Sequence, residues 1–243
     1  MSDRVALVTG STSGIGKAVV ERFVADGLRV VINSVSSVDA GHAMAAELGE
    51  DRTHYVQGDI ADAGDAQRLV DETVTRFGRL DVLVNNAGTT VRIPHDDFAT
   101  ATPEVFRRLY DVNVVGTWQT TVAAIPHLRQ SGAGCIVNVT SLAGVRPTGS
   151  SIPYAVSKAA MNHLTLLLAN TLAPEVRVNA VAPGLVDTPW TADWQDLHEA
   201  IKVMAPMGRA AVPDDVAGVV ATLVDSTYVT GQIWVIDGGL GLR

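Results

Sequence analysis

Tyr154 and Lys158 stand four residues apart in the segment Tyr-Ala-Val-Ser-Lys, and Ser141 precedes Tyr154 by thirteen residues. On a helix, positions i and i+4 lie on one face, so this spacing places an ammonium beside a phenol. A free phenol has a pKa of about 10, and a nearby positive charge stabilises phenolate and lowers that pKa. These residues predict a proton donor and acceptor, Tyr154, with the Ser141 hydroxyl holding a carbonyl oxygen. The alternative is an ordinary helix with a surface lysine, because two common residues meet at this spacing by chance.

A glycine-rich turn, Thr9-Gly-Ser-Thr-Ser-Gly-Ile-Gly, follows the first predicted strand and opens the first predicted helix. Glycine lets the backbone turn tightly and approach a ligand, and a helix N-terminus offers free N–H groups to phosphate. The position predicts a dinucleotide pyrophosphate site rather than a simple turn, although three residues separate the first two glycines instead of one. The residues predicted to contact the cofactor here are Gly10, Ser11, Ser13, Gly14, Ile15 and Gly16.

The end of the second predicted strand bears on the choice of cofactor. Folds selective for NAD place an acidic residue there to bind the adenosine ribose, whereas this chain has Asn33 and Ser34. No carboxylate is present to repel a 2′-phosphate, and Ser34, Ser36 and Ser37 can donate hydrogen bonds to one. Since no arginine is present either, a polar loop that accepts both cofactors is the alternative. The pattern favours NADP(H) over NAD(H).

Two further strand ends carry candidate cofactor residues. Gly58-Asp59-Ile60 closes the third strand, and Asp59 is predicted either to accept from the adenine amino group or to cap the following helix. Asn85-Asn86-Ala87-Gly88 closes the fourth strand, where small residues leave room for a flat ligand. Ile60 and residues 86–88 are therefore predicted to line the same cleft as the glycine-rich turn.

Short β-branched runs alternate with longer helical patterns, which predicts an α/β fold with a doubly wound parallel sheet. No linker divides the chain, so residues 1–243 are predicted to form one domain. Residues 185–209 break the alternation and contain Trp190, Trp194, Met204 and Met207, which predicts a substrate lid. The two tryptophans are predicted either to face an apolar substrate or to pack together. The predicted strands are 5–9, 29–33, 53–57, 81–85, 134–140, 176–182 and 232–236, and the predicted helices are 14–26, 38–48, 63–77, 102–128, 153–172 and 213–223.

Composition excludes several classes of function. The net charge of −8 and the absence of a basic run argue against nucleic-acid binding. The single cysteine, Cys135, allows no disulfide within the chain and is predicted to be a small buried hydrophobe. The six histidines show no ligand spacing with acids, so no metal site is expected. No signal peptide or long apolar run is recognisable, and we expect a soluble, cytoplasmic protein.

Two predicted helices lack a charged face. Residues 112–128 contain no Asp, Glu, Lys or Arg, and in residues 153–173 the only such side chain is Lys158. A helix that is apolar or small nearly all round is buried on more than one side. One side can pack on the sheet and the other side can pack against another subunit, which predicts a homo-oligomer. Gln119, Asn162 and the threonines argue against the alternative of membrane helices.

Together, these residues resemble the classical short-chain dehydrogenase/reductase family and its 3-oxoacyl-carrier-protein reductase-like members. The resemblance spans nearly the whole chain and implies a single-domain, seven-stranded parallel Rossmann sheet, NAD(P) dependence and a homotetramer or dimer. The matching positions are the glycine-rich turn, Asp59, Asn85-Asn86-Ala87-Gly88, Asn113, Ser141, Tyr154, Lys158, Pro183-Gly184 and Asp237-Gly238-Gly239.

The resemblance also implies a role for each matching residue. Tyr154 is the acid–base group, Lys158 lowers its pKa and holds the nicotinamide ribose, and Ser141 orients the substrate oxygen. Asn113 holds a water in a proton relay behind Lys158. The remaining implied contacts are Asn86 and Ala87 beside the adenosine ribose, Pro183, Gly184 and Val186 around the nicotinamide, and Thr188 near the carboxamide or phosphates.

The sequence thus predicts an NAD(P)-dependent oxidoreductase that exchanges hydride between nicotinamide and a carbonyl or secondary alcohol. One alternative is a 3-oxoacyl-carrier-protein reductase, although Glu175 supplies an acid where carrier docking favours basic residues, and Arg129 is followed by none. Another is a non-catalytic NAD(P)-binding regulatory protein. A serine hydrolase is excluded because Ser141 lies in Val-Thr-Ser-Leu-Ala, which lacks the Gly-x-Ser-x-Gly elbow.

Overall fold

The computed structural model describes residues 4–242. The prediction that no signal peptide is present rests in part on residues 1–3, which lie outside that range.

Seven strands in residues 4–242 form one parallel sheet: β1 Val5–Val8, β2 Arg29–Ser34, β3 Thr53–Gln57, β4 Val82–Asn85, β5 Gly134–Val139, β6 Val176–Pro183 and β7 Ile233–Ile236. Their spatial order is β3-β2-β1-β4-β5-β6-β7, and every neighbouring pair is parallel. This arrangement confirms the predicted doubly wound Rossmann sheet.

Helices cover both faces of the sheet and bury its apolar side chains in two cores. Strands β1, β4 and β5 are buried along their whole length, as expected of apolar runs without alternation. Helices α1, α2 and α8 contribute to one core, and α3, α5 and α6 to the other. The helices are α1 Gly14–Ala25, α2 Val38–Leu48, α3 Ala63–Phe77, α4 Pro103–Tyr110, α5 Thr117–Ser131, α6 Ile152–Leu172, α7 Gln195–Met204 and α8 Pro213–Asp225.

Two predicted elements need correction. The single helix predicted over 102–128 is divided into α4 and α5 by a π-helical segment, Asp111–Gly116. In that segment a Cβ on Gly116 would lie 2.9 Å from Ile60, so the chain can approach the β3–α3 connection only because this residue is glycine. Residues 185–209, which showed no regular pattern, contain helix α7, in which Ile201 is the one buried residue.

Cys135 occupies the second position of β5, beside the carbonyl of Leu223 in α8. Its side chain is buried, as predicted, and burial raises the pKa of the thiol to about 11. The residue therefore contributes to the core as a small hydrophobe.

The sheet order reverses between β1 and β4, because the chain crosses from β3 at one edge back to β4 beside β1. In open α/β sheets, the carboxyl ends of the strands at such a reversal leave a crevice that binds ligands. The loops that follow β1, β4 and β5 carry the glycine-rich turn, residues 86–88 and Ser141, so the fold brings the predicted site residues to one edge.

Candidate active site

A cleft of about 1010 Å³ lies at this edge of the sheet. The structure brings most of the predicted site residues together in its wall: Gly10, Ser13, Gly14, Ile15, Ser34, Ser36, Asp59, Ile60, Asn86, Ala87, Gly88, Ser141, Tyr154, Lys158, Pro183, Gly184, Val186 and Thr188. Three predicted residues, Ser11, Gly16 and Asn113, are not among the cleft-lining residues.

Helix α6 positions the two residues at the centre of the site. Ser151 precedes the helix, and its hydroxyl accepts a hydrogen bond from the Tyr154 N–H at 3.3 Å, which caps the first turn. The Lys158 ammonium lies 5.8 Å from the centre of the Tyr154 ring, on the same face of the helix. The structure therefore places phenol and amine side by side in the cleft.

Lys158 is only 3% exposed and is held against the end of β5. Its Nζ donates a hydrogen bond to the Val139 carbonyl at 3.0 Å and contacts the Met161 sulfur at 3.5 Å. Neither partner carries a negative charge, and burial lowers the pKa of Lys158 to about 8. The ammonium retains a third N–H that is free to bind a ligand hydroxyl.

The pKa of Tyr154 differs from the prediction. Burial of the phenol raises its pKa to about 12, and a hydrogen bond with Ser141 acts in the opposite direction without reversing the change. The expected lowering by Lys158 is not found. Two features explain this: loss of hydration penalises the phenolate, and the Lys158 amine is bound to Val139 rather than to the phenol oxygen.

Ser141 follows β5 and begins the short 3-10 helix Leu142–Gly144. Its Oγ accepts a hydrogen bond from the Ala143 N–H at 3.1 Å, and the same hydroxyl interacts with Tyr154. The turn thus holds the serine hydroxyl beside the Tyr154 phenol.

Asn113 lies in the π-helical segment and is fully buried. Its Oδ1 accepts from the Thr89 N–H at 2.8 Å, and its Nδ2 donates to the Thr89 carbonyl and to the Ser157 Oγ, each at 3.0 Å. The Asn113 carbonyl accepts from the Thr117 hydroxyl at 2.8 Å. The side chain therefore joins the loop after β4 to the back of α6, outside the cleft.

The glycine-rich turn has the geometry expected of a phosphate site. Gly10 and Gly14 have φ values of 60° and 54°, which side chains rarely adopt, and no side chain caps the N-terminus of α1. Its first N–H groups can therefore bind phosphate. The buried Ser11 hydroxyl instead donates to the Val8 carbonyl at 2.7 Å, and a Cβ on Gly16 would lie 2.5 Å from Asn86 Nδ2. These two residues shape the turn from behind, and their contact with the cofactor remains a prediction.

Asn33 also supports the turn rather than facing the cleft. Its Oδ1 accepts from the Gly10 N–H at 3.1 Å, and its Nδ2 donates to the Gly58 carbonyl at 3.0 Å. Ser34 lines the cleft beside it and shares a hydrogen bond of 2.8 Å with the Tyr55 hydroxyl. The cleft wall at residues 34–37 contains one valine and three serines and has no charged side chain.

Asp59 lines the cleft, and its Oδ1 accepts from the Ala61 N–H at 2.9 Å. The interpretation of Asp59 as the cap of α3 is wrong, because Asp62 is the capping residue and accepts from the Asp65 N–H at 2.9 Å. The adenine contact remains a prediction.

The other end of the cleft contains residues that no motif indicated. The loop after β4 contributes Thr90 and residues 92–95, the loop before α6 contributes residues 148–150, and α7 contributes Leu197, Ile201 and Met204. Trp190 and Trp194 both line this part of the cleft, whereas Met207 does not. The predicted lid segment, residues 185–209, contributes Trp190, Trp194 and Met204 to this wall, whereas nothing in the sequence indicated the loops after β4 and before α6.

The residues present fit an NAD(P) cofactor: an uncapped helix N-terminus, a turn with glycines at positions 10 and 14, and the buried amine of Lys158 belong to one cleft. Within residues 4–242, no group of three or more His, Cys, Asp or Glu side chains is arranged to hold a metal ion. In the same residues, no helix combines the length and apolar character needed to cross a bilayer.

Comparison with known proteins identifies the family. A family model described as Enoyl-(Acyl carrier protein) reductase matches residues 10–241. A Streptomyces violaceoruber protein, provisionally named ketoacyl reductase 2 of the granaticin polyketide synthase, is 55% identical over 241 residues, covering 98% of this chain and 96% of its own. Dehydrogenase/reductase SDR family member 4 of Homo sapiens is 37% identical over 252 residues, covering 100% and 89%. The solved structure of ElxO with NADP bound gives a TM-score of 0.90 at 29% identity, covering 99% of each chain.

These relatives match the chain from end to end and are named as reductases or dehydrogenases. The alternative of a non-catalytic regulatory protein is therefore not favoured. The chain is an NAD(P)-dependent oxidoreductase of the short-chain dehydrogenase/reductase family.

Proposed function

We propose that Tyr154, assisted by Ser141 and Lys158, exchanges a proton with the oxygen of a ketone or secondary alcohol while NADP(H) exchanges hydride with its carbon. The observation that carries this proposal is the position of Tyr154, whose phenol is hydrogen-bonded to Ser141 and whose ring centre lies 5.8 Å from the Lys158 ammonium. All three line the cleft that also contains the glycine-rich turn.

The chemistry divides between cofactor and protein. When bound, the nicotinamide supplies hydride to a carbonyl carbon or accepts it from an alcohol. Negative charge then develops on the carbonyl oxygen, and hydrogen bonds from Ser141 and Tyr154 stabilise it. Tyr154 delivers the proton that completes reduction, and its raised pKa keeps the phenol protonated for that role. Alcohol oxidation uses the same residues in reverse.

Lys158 and Asn113 serve this proton transfer in different ways. The third N–H of Lys158 can donate to a ribose hydroxyl, and a ligand that bridges amine and phenol brings positive charge closer to Tyr154. Asn113 acts through Ser157, whose hydroxyl accepts from the Asn113 amide and donates to the Tyr154 carbonyl at 2.7 Å. We assign Asn113 as a positioning residue that keeps α6 in register with the loop after β4, with the water relay as a further role.

NADP(H) is the cofactor we favour. The wall at residues 34–37 has no carboxylate to repel a 2′-phosphate, and Ser34 and Ser36 offer hydroxyl donors. The NADP bound by ElxO, a structural neighbour, supports this choice.

The substrate we favour is a free, largely apolar ketone or secondary alcohol. Trp190, Trp194 and Leu197 give the far wall of the cleft its apolar character. A 3-oxoacyl group on a carrier protein is the second candidate, supported by the name of the relative from Streptomyces violaceoruber. Against carrier docking, Arg129 is paired with Glu175 at 2.8 Å, so this arginine is already neutralised.

The subunit is proposed to assemble with copies of itself through α5 and α6. These helices expose large apolar side chains that cover neither core: Trp118, Val122, Val156, Leu166 and Leu167. Exposed apolar patches of this kind are typical of protein interfaces. We favour a homotetramer or dimer in the cytoplasm, where the free thiol of Cys135 is stable in reduced form.

The experiment that tests the catalytic assignment compares Tyr154→Phe with Tyr228→Phe, a matched change at a fully exposed tyrosine. We expect Tyr154→Phe to lower kcat by about 10²–10⁴-fold, the usual contribution of general acid–base catalysis. NADPH affinity, measured by fluorescence titration, should stay within about twofold because the phenol oxygen contributes little to binding. Unchanged turnover in Tyr154→Phe would overturn the assignment.

A further inference from the structure

Arg92 stands out among the residues that line the cleft. Apart from Lys158, it is the only lysine or arginine in the cleft wall formed by the described residues. It lies in the loop between β4 and α4, at the substrate end, where Trp190, Trp194 and α7 provide an apolar surface. Its half-exposed positive charge has a counter-charge beside this surface.

At present that counter-charge is Asp196 of α7. The Arg92 Nη2 donates a hydrogen bond to the Asp196 Oδ2, and the guanidinium lies 5.9 Å from the centre of the Trp194 ring. A guanidinium has five N–H donors in a planar fork, and Asp196 accepts from one of them. The Arg92 guanidinium therefore binds one carboxylate already and has N–H donors left for a second.

The energetics favour exchange of this carboxylate for one on a ligand. Both partners are about half exposed or more, with side-chain exposures of 49% for Arg92 and 66% for Asp196. Such exposed ion pairs contribute little to stability because water competes with both partners. A substrate anchored by its apolar body in the cleft presents its carboxylate at high local concentration and can bind the fork through two parallel hydrogen bonds.

We propose that Arg92 determines specificity by binding a carboxylate group of the substrate, with Asp196 as a built-in competitor for the same guanidinium. The substrate is then an apolar ketone or alcohol with an acidic group remote from the reacting carbon. This inference rests on the proposed function, because the same molecule must present its oxygen to Tyr154.

The test uses two readouts and two opposite substitutions. Calorimetric titration of the NADP-bound protein compares 2-naphthoate with 2-naphthamide, which has the same apolar body without the charge. Kinetics compare an aromatic keto acid with its methyl ester. We expect the wild type to prefer the acid in each pair, and Arg92→Gln to weaken binding of the acid, or raise its KM, about tenfold or more. The uncharged compounds should change by less than about threefold.

Asp196→Asn distinguishes this proposal from a purely structural role. Removing the competitor should strengthen binding of the acid a few-fold, opposite to the effect of Arg92→Gln. If the ion pair instead only latches α7 over the cleft, both substitutions will shift acid and uncharged compounds alike and in the same direction, which overturns the proposal. Arg92→Lys keeps the charge without the fork and should recover only part of the acid preference.

Two further outcomes distinguish a wrong choice of anionic group from a wrong catalytic assignment. Stronger binding of 2-naphthyl phosphate than of 2-naphthoate, lost in Arg92→Gln, would overturn the carboxylate assignment in favour of a phosphate group. The binding readout does not depend on turnover. A preference for 2-naphthoate that depends on Arg92 therefore supports the proposal even if Tyr154→Phe shows that the catalytic assignment is wrong.

Discussion

The ammonium nitrogen of Lys158 lies 3.0 Å from the carbonyl oxygen of Val139, the last residue of β5. This hydrogen bond ties α6 to the edge of the sheet and fixes the amine beside the cleft. Because its partners are a carbonyl and a thioether rather than a carboxylate, the charge is buried without full compensation. Burial of the Lys158 ammonium at this position therefore lowers the free energy of unfolding of the protein.

This burial predicts how stability depends on pH. The pKa of Lys158 is about 8 in the folded protein, against 10.5 for a lysine side chain exposed to water, so between these values the unfolded chain binds more protons than the folded one. The free energy of unfolding of the ligand-free protein should therefore rise as pH increases through this window. Between pH 8 and pH 10, we expect a gain of about 2–3 kcal/mol from this group.

Urea denaturation of the wild type and Lys158→Met at several pH values measures this gain. The variant should lose the rise, since methionine has no proton to release. Lys17→Met removes an exposed lysine and should keep it. Above pH 10, Tyr154 acts in the opposite sense, because its pKa of about 12 makes the folded protein bind more protons. Equal slopes in the wild type and Lys158→Met would contradict the assignment.

Ser34→Asp should change the choice of cofactor. A carboxylate at this position of the cleft wall repels the 2′-phosphate of NADP, whereas NAD has only hydroxyls there. We expect the ratio of the NADP and NAD dissociation constants to rise by at least about tenfold. Ser34→Ala is the control, because it also loses the hydrogen bond to Tyr55 but adds no charge. Equal changes in both variants would assign the effect to structure rather than to the phosphate.

Trp118→Glu should disrupt self-association through α5. Burying a carboxylate in an apolar interface is costly, so we expect light scattering to report a smaller assembly or a monomer. Phe98→Glu makes the same kind of change at a more exposed position, in the loop before α4, and should leave the mass unchanged. An unaltered mass for Trp118→Glu would mean that this face does not form the interface.

Two glycines in helices should respond in opposite ways to alanine. A Cβ on Gly41 would lie 2.2 Å from the Tyr55 ring, whereas a Cβ on Gly218 would meet nothing within 4 Å. Gly41→Ala should therefore lower the free energy of unfolding by about 1–3 kcal/mol through overpacking. Gly218→Ala should raise it by about 0.5–1 kcal/mol through helix propensity. Thermal denaturation of both variants checks the contrast, and two changes of the same sign would refute it.

The regular part of the fold was predictable because its signals are local. Strands such as Val5–Val8 are apolar without alternation, and the glycines of the first turn lie at the end of such a strand. The π-helical segment Asp111–Gly116 was not predictable, since its side chains bond to distant residues such as Thr89 and Ser157. Helix α7 was missed because its apolar spacing, Leu197, Ile201 and Met204, extends over only two turns and only Ile201 is buried.

Within the site, too, residues with local sequence signals were predictable and residues defined by long-range contacts were not. Tyr154, Lys158 and Ser141 are recognisable because a helix turn and a strand end fix their spacing. Ser11 and Gly16 are predicted cofactor contacts by their place in a motif, whereas their packing behind the turn is visible only in the folded chain. Arg92 carries no motif, and its importance depends on Asp196, which lies 104 residues away in the sequence. Long-range pairs of this kind can be found only once the chain is folded.

Because Cys135 is buried, the rate at which its thiol is alkylated can report local opening of the fold. Alkylating reagents react with the thiolate. In Cys135 the raised pKa keeps the thiol protonated, and helix α8 covers the sulfur. Modification must await the separation of α8 from the middle of the sheet, so its rate records how often that opening occurs. Since the sequence has a single cysteine, one mass-shift measurement can follow how cofactor or substrate slows this motion.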